Sequence, residues 1–353
     1  MNYTKKLSHI AQGLEPAPLV LKGAHVLDVG NEMWSIEDIA ISDGYIIGVG
    51  KYEGLEEIDY TGKYIVPGFI DAHLHLESTL VNPRELVHEA SREGTLTYIV
   101  DPHEAGNVAG LKGIQYMIDE TRDARGDVYV MAPSCVPAVP GEDNGALLDC
   151  DTLSELCNNP AILGLGEVMD CYSVIGADAD MIGKLNAYKN RVLDGHIIGL
   201  SPKQLASYRL AGITTNHECI TYEEAKEQVR QGLYVWIREG SAAHNLEAIV
   251  TGIVDAESPV DRYGFCTDDK HIEDIRREGH ISYNIRKAIE LGLNPIETYK
   301  MASTYPAQCY GLKDIGMIAP GYKANLVILN DESNVSIYDV IYNGVIVARH
   351  RDY

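Results

Sequence analysis

Eight short apolar runs recur through the middle of the chain, at 65–71, 97–101, 128–132, 162–167, 192–197, 212–217, 233–237 and 263–268. Between most of them, apolar residues fall at three- and four-residue spacing over 83–91, 111–122, 178–191, 202–211, 222–231 and 272–291. That spacing predicts amphipathic helices. Asn82-Pro83, Ser201-Pro202, and Thr221 with Glu224 three residues on, are helix-start signals. Eight strands interleaved with helices over roughly 240 residues match the count and size of a (β/α)8 barrel. The competitor is an open doubly wound sheet. If it bound a dinucleotide, a phosphate-binding glycine loop should follow the first strand, and none is present.

Both ends of the chain read differently. Short apolar runs at 19–21, 25–29, 36–41 and 45–49 are separated by glycines, and 325–329, 337–342 and 345–348 look alike. Asp43-Gly44 and Asn343-Gly344 are two-residue hairpin signals. The expectation is a small composite β-sandwich domain from 1–62 plus 306–353, around a catalytic barrel at 63–305.

The formal net charge of −23 argues against a nucleic-acid backbone or an anionic membrane as partner, since both select clustered Lys and Arg. No run approaches the roughly 18 apolar residues of a membrane span. Met1 to Leu14 lacks the apolar stretch of a secretory signal. The seven cysteines include no C-x-x-C pair, which removes zinc ribbons and thioredoxin-type sites. An odd count without a secretion signal fits a reducing cytoplasm.

The first barrel run leads into Asp71-Ala72-His73-Leu74-His75. Strand side chains alternate faces, so His73 and His75 point the same way, as two ligands of one ion must. Other strand ends carry Asp101-Pro102-His103-Glu104, Glu167, His196, Asn216-His217-Glu218 and Asp268-Asp269. Successive intervals along His75, His103, Glu167, His196, His217 and Asp268 are 28, 64, 29, 21 and 51 residues. Three are single strand–helix repeats and two are double, so the chemistry tracks the barrel period. With His103 set aside, four histidines, Glu167 and Asp268 suffice for two cations, the glutamate bridging. Imidazole and carboxylate without thiolate suit Zn²⁺, Mn²⁺ or Fe²⁺. A hydroxide bridging two cations is a nucleophile at neutral pH, and Asp268 could accept its proton. His9, His25, His88, His244, His280 and His350 lie off this period and read as surface or packing residues.

These residues resemble the amidohydrolase superfamily: Asp71-x-His73-x-His75, the strand-four carboxylate, His196, His217 and Asp268 stand in its order. Within it, the segments 73–79, 101–108, 166–169, 215–218, 238–243 and 267–271 resemble the bacterial adenine deaminases. The resemblance implies hydrolytic deamination of adenine to hypoxanthine and ammonia, with two divalent ions, Mn²⁺ or Fe²⁺ ahead of Zn²⁺. It implies His73, His75 and Asp268 on one ion, His196 and His217 on the other, and Glu167 between them. His103 and Glu239 are candidates for acid–base work beside Asp268 and Glu167. Glu77, Glu104, Arg238 and Ser241 are candidates for contacts with the purine. The same residues could instead orient the ligands. His75-Leu76-Glu77 matches H-x-E, but no P-C-x-x-C completes the other zinc-deaminase design.

Adenine deaminases of this kind continue past the composite β domain into a further C-terminal domain, whereas this sequence stops at Tyr353. A truncated gene product, an excised piece of a longer chain and a shorter relative are all compatible with that end. Two alternatives stay open: hydrolysis of a cyclic amide, and a non-catalytic metal- or purine-binding relative. Glu167, where cyclic amidases carry a modified lysine, weakens the first. Whether copies of the chain assemble with one another is not legible.

Overall fold

The computed structural model describes residues 3–139 and 141–350. The chain divides into two compact units: Met1–Ile70 with Ala90–Leu96 and Gly279–Tyr353, and Asp71–Glu89 with Thr97–Glu278.

The first unit is organised by one mixed sheet drawn from both ends of the chain. Its strands are β1 (Ala17–Asp28), β2 (Met33–Ser42), β3 (Tyr45–Gly50), β4 (Gly54–Asp59) and β5 (Tyr64–Pro67). The C-terminal region adds β14 (Leu326–Leu329), β15 (Ile337–Tyr342) and β16 (Val345–Arg349). The order is β16-β15-β14-β5-β1-β2-β3, with β4 also on β1. Leu21, Val26, Ile39, Ile41, Ile46, Ile65, Leu326, Ile328 and Ile341 meet in one buried cluster, which joins the two ends through a common apolar core. Both hairpin signals form the turns expected of them. Asp43 and Gly44 have φ of 52° and 80°, and Asn343 and Gly344 have 49° and 76°. Two successive positive φ values match the right-handed twist of the flanking strands.

The remaining eight strands form the barrel: β6 (Phe69–Leu74), β7 (Thr95–Val100), β8 (Asp127–Ala132), β9 (Ile162–Val168), β10 (Val192–Gly195), β11 (Thr215–Asn216), β12 (Tyr234–Arg238) and β13 (Tyr263–Cys266). A five-stranded sheet runs β6 to β10, and a three-stranded one β11 to β13. Backbone hydrogen bonds join them into a ring. Thr214 N–H donates to Leu193 O at 3.0 Å between the β10 and β11 segments. Asp268 N–H donates to His73 O, and His75 N–H to Asp268 O, each at 3.0 Å, which closes the last strand on the first.

Three local expectations change. The run at 65–71 is two strands, with Tyr64–Pro67 in the mixed sheet and Phe69–Leu74 in the barrel. Gly68 is the break: a Cβ there would lie 2.9 Å from Leu96 Cδ1 and 3.3 Å from Asn325 O. The helix expected over 272–291 is likewise two, Ile272–Glu278 and Ile281–Glu290, interrupted at Gly279 with φ of +100°. His103 does not end a strand but opens the helix His103–Ala109. Two further helices, Cys150–Leu156 and Leu246–Asp255, fill connections outside the six expected helical stretches.

Candidate metal centre

The βα side of a barrel collects the residues that follow each strand. Here they converge on Glu167, at the end of β9. Its Oε1 lies 3.1 Å from His75 Nε2, 3.2 Å from His103 Nδ1 and 3.7 Å from His73 Nε2. Its Oε2 lies 2.8 Å from His196 Nδ1 and 3.5 Å from His217 Nε2. One carboxylate therefore faces two separate groups of histidines, three on Oε1 and two on Oε2. Asp268 Oδ1 lies 3.1 Å from His75 Nε2 and 3.6 Å from His73 Nε2. All six ligand candidates come together, and His73, His75, Glu167 and His217 are almost wholly buried.

The cluster has the geometry of cation ligands. His73 Nε2 and His75 Nε2 are 3.2 Å apart. Two nitrogens about 2.1 Å from one ion at a tetrahedral angle sit roughly 3.4 Å from each other. The triads His73–His75–Glu167, His73–His217–Asp268 and Glu167–His196–His217 each keep their ligand atoms within 4.8 Å. His75 Nδ1 lies 2.8 Å from Asp101 O, so its N–H belongs there and its Nε2 lone pair faces the cluster. Glu167 Oε1, buried and facing three imidazoles, has no hydrogen-bond donor. An uncompensated buried carboxylate oxygen of that kind is costly unless a cation meets it. The residues fit a binuclear site.

Electrostatics without metal reflect the same crowding. Burial alone would raise Glu167, but the close imidazoles of His103, His196 and His75 hold its carboxyl well below the usual range. Burial, then the neighbouring His217, push His73 down to about 4. His75 goes the other way: burial opposes its charge, but Asp268 and Glu167 raise it well above an ordinary imidazole. Asp71, fully buried, is pushed up to about 7 by that burial. It accepts from Thr267 N–H at 3.0 Å and from His73 N–H at 3.3 Å, tying the first strand to the last instead of facing an ion.

The remaining candidates separate. His103 joins the cluster through Glu167, and Asp101 beside it accepts Glu167 N–H at 2.8 Å. Arg238 Nη1 donates to Asp268 Oδ2 at 2.8 Å and also to Glu218 Oε1. Glu77 Oε1 accepts from Ala105 N–H at 2.9 Å, which braces the helix that carries His103, while its buried Oε2 has no donor. Glu104 is exposed. Glu239 turns its carboxylate towards His244 and Leu246 N–H, both at 3.2 Å. Ser241 Oγ bonds Asp274 and accepts His271 N–H, linking the loops after β12 and β13. Glu218 was not singled out from the sequence as a site residue, yet its Oε1 lies 3.3 Å from His217 Nε2 and 3.6 Å from His196 Nδ1. The signal was a carboxylate directly after a strand-end histidine.

The amidohydrolase family model matches residues 64–347. The chain belongs to the amidohydrolase family. It is 52% identical over 347 residues to an adenine deaminase of Desulfitobacterium hafniense, covering 98% of this chain and 61% of that protein. It is 45% identical over 332 residues to an adenine deaminase of Bacillus licheniformis, covering 94% of this chain and 58% of that protein. The chain thus spans about 60% of the length of these curated relatives. Among solved structures, a β-aspartyl dipeptidase of Fervidobacterium islandicum superposes with a TM-score of 0.69 at 17% identity, covering 94% of this chain and 96% of that one. A dihydropyrimidinase of Brevibacillus agri gives 0.68 at 14% identity, covering 95% of each. At such identities the likeness is one of fold. No helix among the described residues is long and apolar enough to cross a membrane.

Proposed function

We propose that this chain catalyses the hydrolytic deamination of adenine: adenine and water give hypoxanthine and ammonia. The observation that carries the reading is the complete ligand set around Glu167, in a chain whose 52% identical relative bears that activity in its name. His73, His75 and Asp268 would hold one divalent ion and His196 and His217 the other, with Glu167 shared. Bound there, two such ions supply Lewis-acid activation of water at neutral pH. Mn²⁺ or Fe²⁺ is the proposed pair, and the thiolate-free donor set also suits Zn²⁺.

The chain's own residues then position and move protons. Asp268 takes the proton of the attacking water on Oδ1, the oxygen nearer His73 and His75. Arg238 holds Oδ2 and so fixes which oxygen faces the substrate. Asp268 then returns the proton to the departing amine, which leaves as ammonia. His103 Nδ1, close to Glu167, is placed to hydrogen-bond the purine ring or to hold that carboxylate. Substrate is a free purine, and the proposed setting is the cytoplasm.

The test is product analysis. Metal-free protein loaded with Mn²⁺ or, anaerobically, Fe²⁺ should convert adenine to equal amounts of hypoxanthine and ammonia. Asp268→Asn should abolish that turnover while far-UV circular dichroism stays unchanged. Hydrolysis of a cyclic amide such as dihydrouracil without adenine turnover would overturn the reading.

A further inference from the structure

Glu218 faces two environments. Its carboxylate stands beside His196 and His217, and it also lines a cavity of about 440 Å³ between the segments after β10 and β11. Ile197, Ile198, Leu205 and Ile220 form an apolar part of its lining, and Glu223, Glu224, Glu227 and Gln228 a polar one.

The two carboxylate oxygens of Glu218 are used unequally. Every contact with His196, His217 and Arg238 is made by Oε1. Among the described residues none donates to Oε2. A carboxylate accepts through both oxygens, so Oε2 is open to a ligand's N–H. Arg238 explains why the side chain is held in this pose. Its Nη1 reaches Glu218 Oε1 and Asp268 Oδ2, and its Nε donates to Asn245 Oδ1 at 3.1 Å. One guanidinium thus ties the proton-carrying aspartate to the glutamate at the cavity.

We propose that Glu218 Oε2 accepts an N–H of the substrate's exocyclic amino group, with Arg238 as the positioning residue that aims it. The inference rests on the deaminase reading. The choice of the amino group follows from place. Glu218 lies within 3.6 Å of the ligand nitrogens of His196 and His217, next to the carbon under attack, and the amino group is that carbon's own substituent. The N–H donors of the five-membered ring lie on the far side of the purine. Glu218 therefore holds the leaving nitrogen and selects purines that carry an amino group there over those that carry another leaving group.

The experiment compares adenine with 6-chloropurine, which presents the same carbon for attack but no amino N–H. Glu218→Gln should lower kcat/KM on adenine about 10- to 100-fold, the scale of one hydrogen bond to a charged group. It should lower 6-chloropurine hydrolysis by less than about 3-fold on the same reasoning. Metal equivalents by elemental analysis should stay at the wild-type value. Glu218→Asp, which keeps the carboxylate, should recover part of the preference for adenine. Equal losses on the two purines overturn the assignment, as does loss of one metal equivalent in Glu218→Gln, which makes the residue a ligand. Wild-type protein that acts on neither purine removes the deaminase reading itself, and with it this role for Glu218.

Discussion

Glu167→Gln removes one charge from the point where both halves of the centre meet. The substitution conserves shape, so backbone contacts survive: Glu167 N–H to Asp101 Oδ2 at 2.8 Å and Ser134 Oγ to Glu167 O at 2.6 Å. What changes is the ligand count. Glu167 belongs to the triad with His73 and His75 and to the triad with His196 and His217. The ion with His73, His75 and Asp268 therefore loses one of four ligands, the ion with His196 and His217 one of three, and both lose the charge that offsets the partner ion. If a protein metal site contributes about 10 kcal/mol, a third of it is roughly 3 kcal/mol. That corresponds to an approximately 150-fold weaker dissociation constant for the three-ligand ion, and somewhat less for the other. Equilibrium dialysis against buffered Mn²⁺, read by elemental analysis, measures it directly. The variant should fall from two equivalents to one or none at metal levels that saturate the wild type. Two equivalents held with wild-type affinity would refute the bridging position of Glu167.

Three further outcomes follow from particular contacts. His75, His103 and His217 are raised in the metal-free centre, as their carboxylate neighbours outweigh burial, and metal requires neutral imidazole. Their contribution to metal-free stability is full below the unfolded imidazole value of about 6.5 and is lost as pH rises through the raised folded values. Metal binding should accordingly release protons and tighten from pH 6 to 8, which calorimetry in buffers of different ionisation enthalpy can read. A pH-independent affinity would contradict it. Gly240→Ala places a Cβ 2.2 Å from Thr267 O and 2.4 Å from Asp269 O, the carbonyls that flank Asp268. Overpacking of this kind costs about 1–3 kcal/mol, so urea unfolding should shift and turnover should fall together. Gly344→Ala puts a side chain at φ of +76° and 2.9 Å from Ile41 Cγ2 in the mixed sheet. It should cost about 1–2 kcal/mol in thermal unfolding while metal equivalents stay unchanged.

Periodicity made the barrel legible because each strand ends at the same side of the ring, so the ligand intervals follow the repeat. The two hairpins were legible for a local reason: Asp43-Gly44 and Asn343-Gly344 can adopt successive positive φ values at little cost. Gly68 was not readable as a break, because the contact that forbids a side chain comes from Leu96 and Asn325, distant in sequence. His103 looked like a strand end since nothing in Asp101-Pro102-His103-Glu104 distinguishes a strand terminus from the first turn of a helix. Glu218 escaped assignment for a related reason. Alternation along β11 would turn it away from His217, but β11 ends at Asn216, so the alternation does not extend to Glu218. Arg238 was visible as a strand-end cation, while its bond to Asp268 depends on the pairing of β12 with β13.

Stepwise addition of Mn²⁺ to metal-free protein, with ammonia release from adenine measured at each step, bears on both the ligand set and the reaction. The expected curve stays low through the first equivalent, rises through the second and levels at two, with one hypoxanthine for each ammonia. Full activity at one equivalent, or no ammonia at two, would contradict the account.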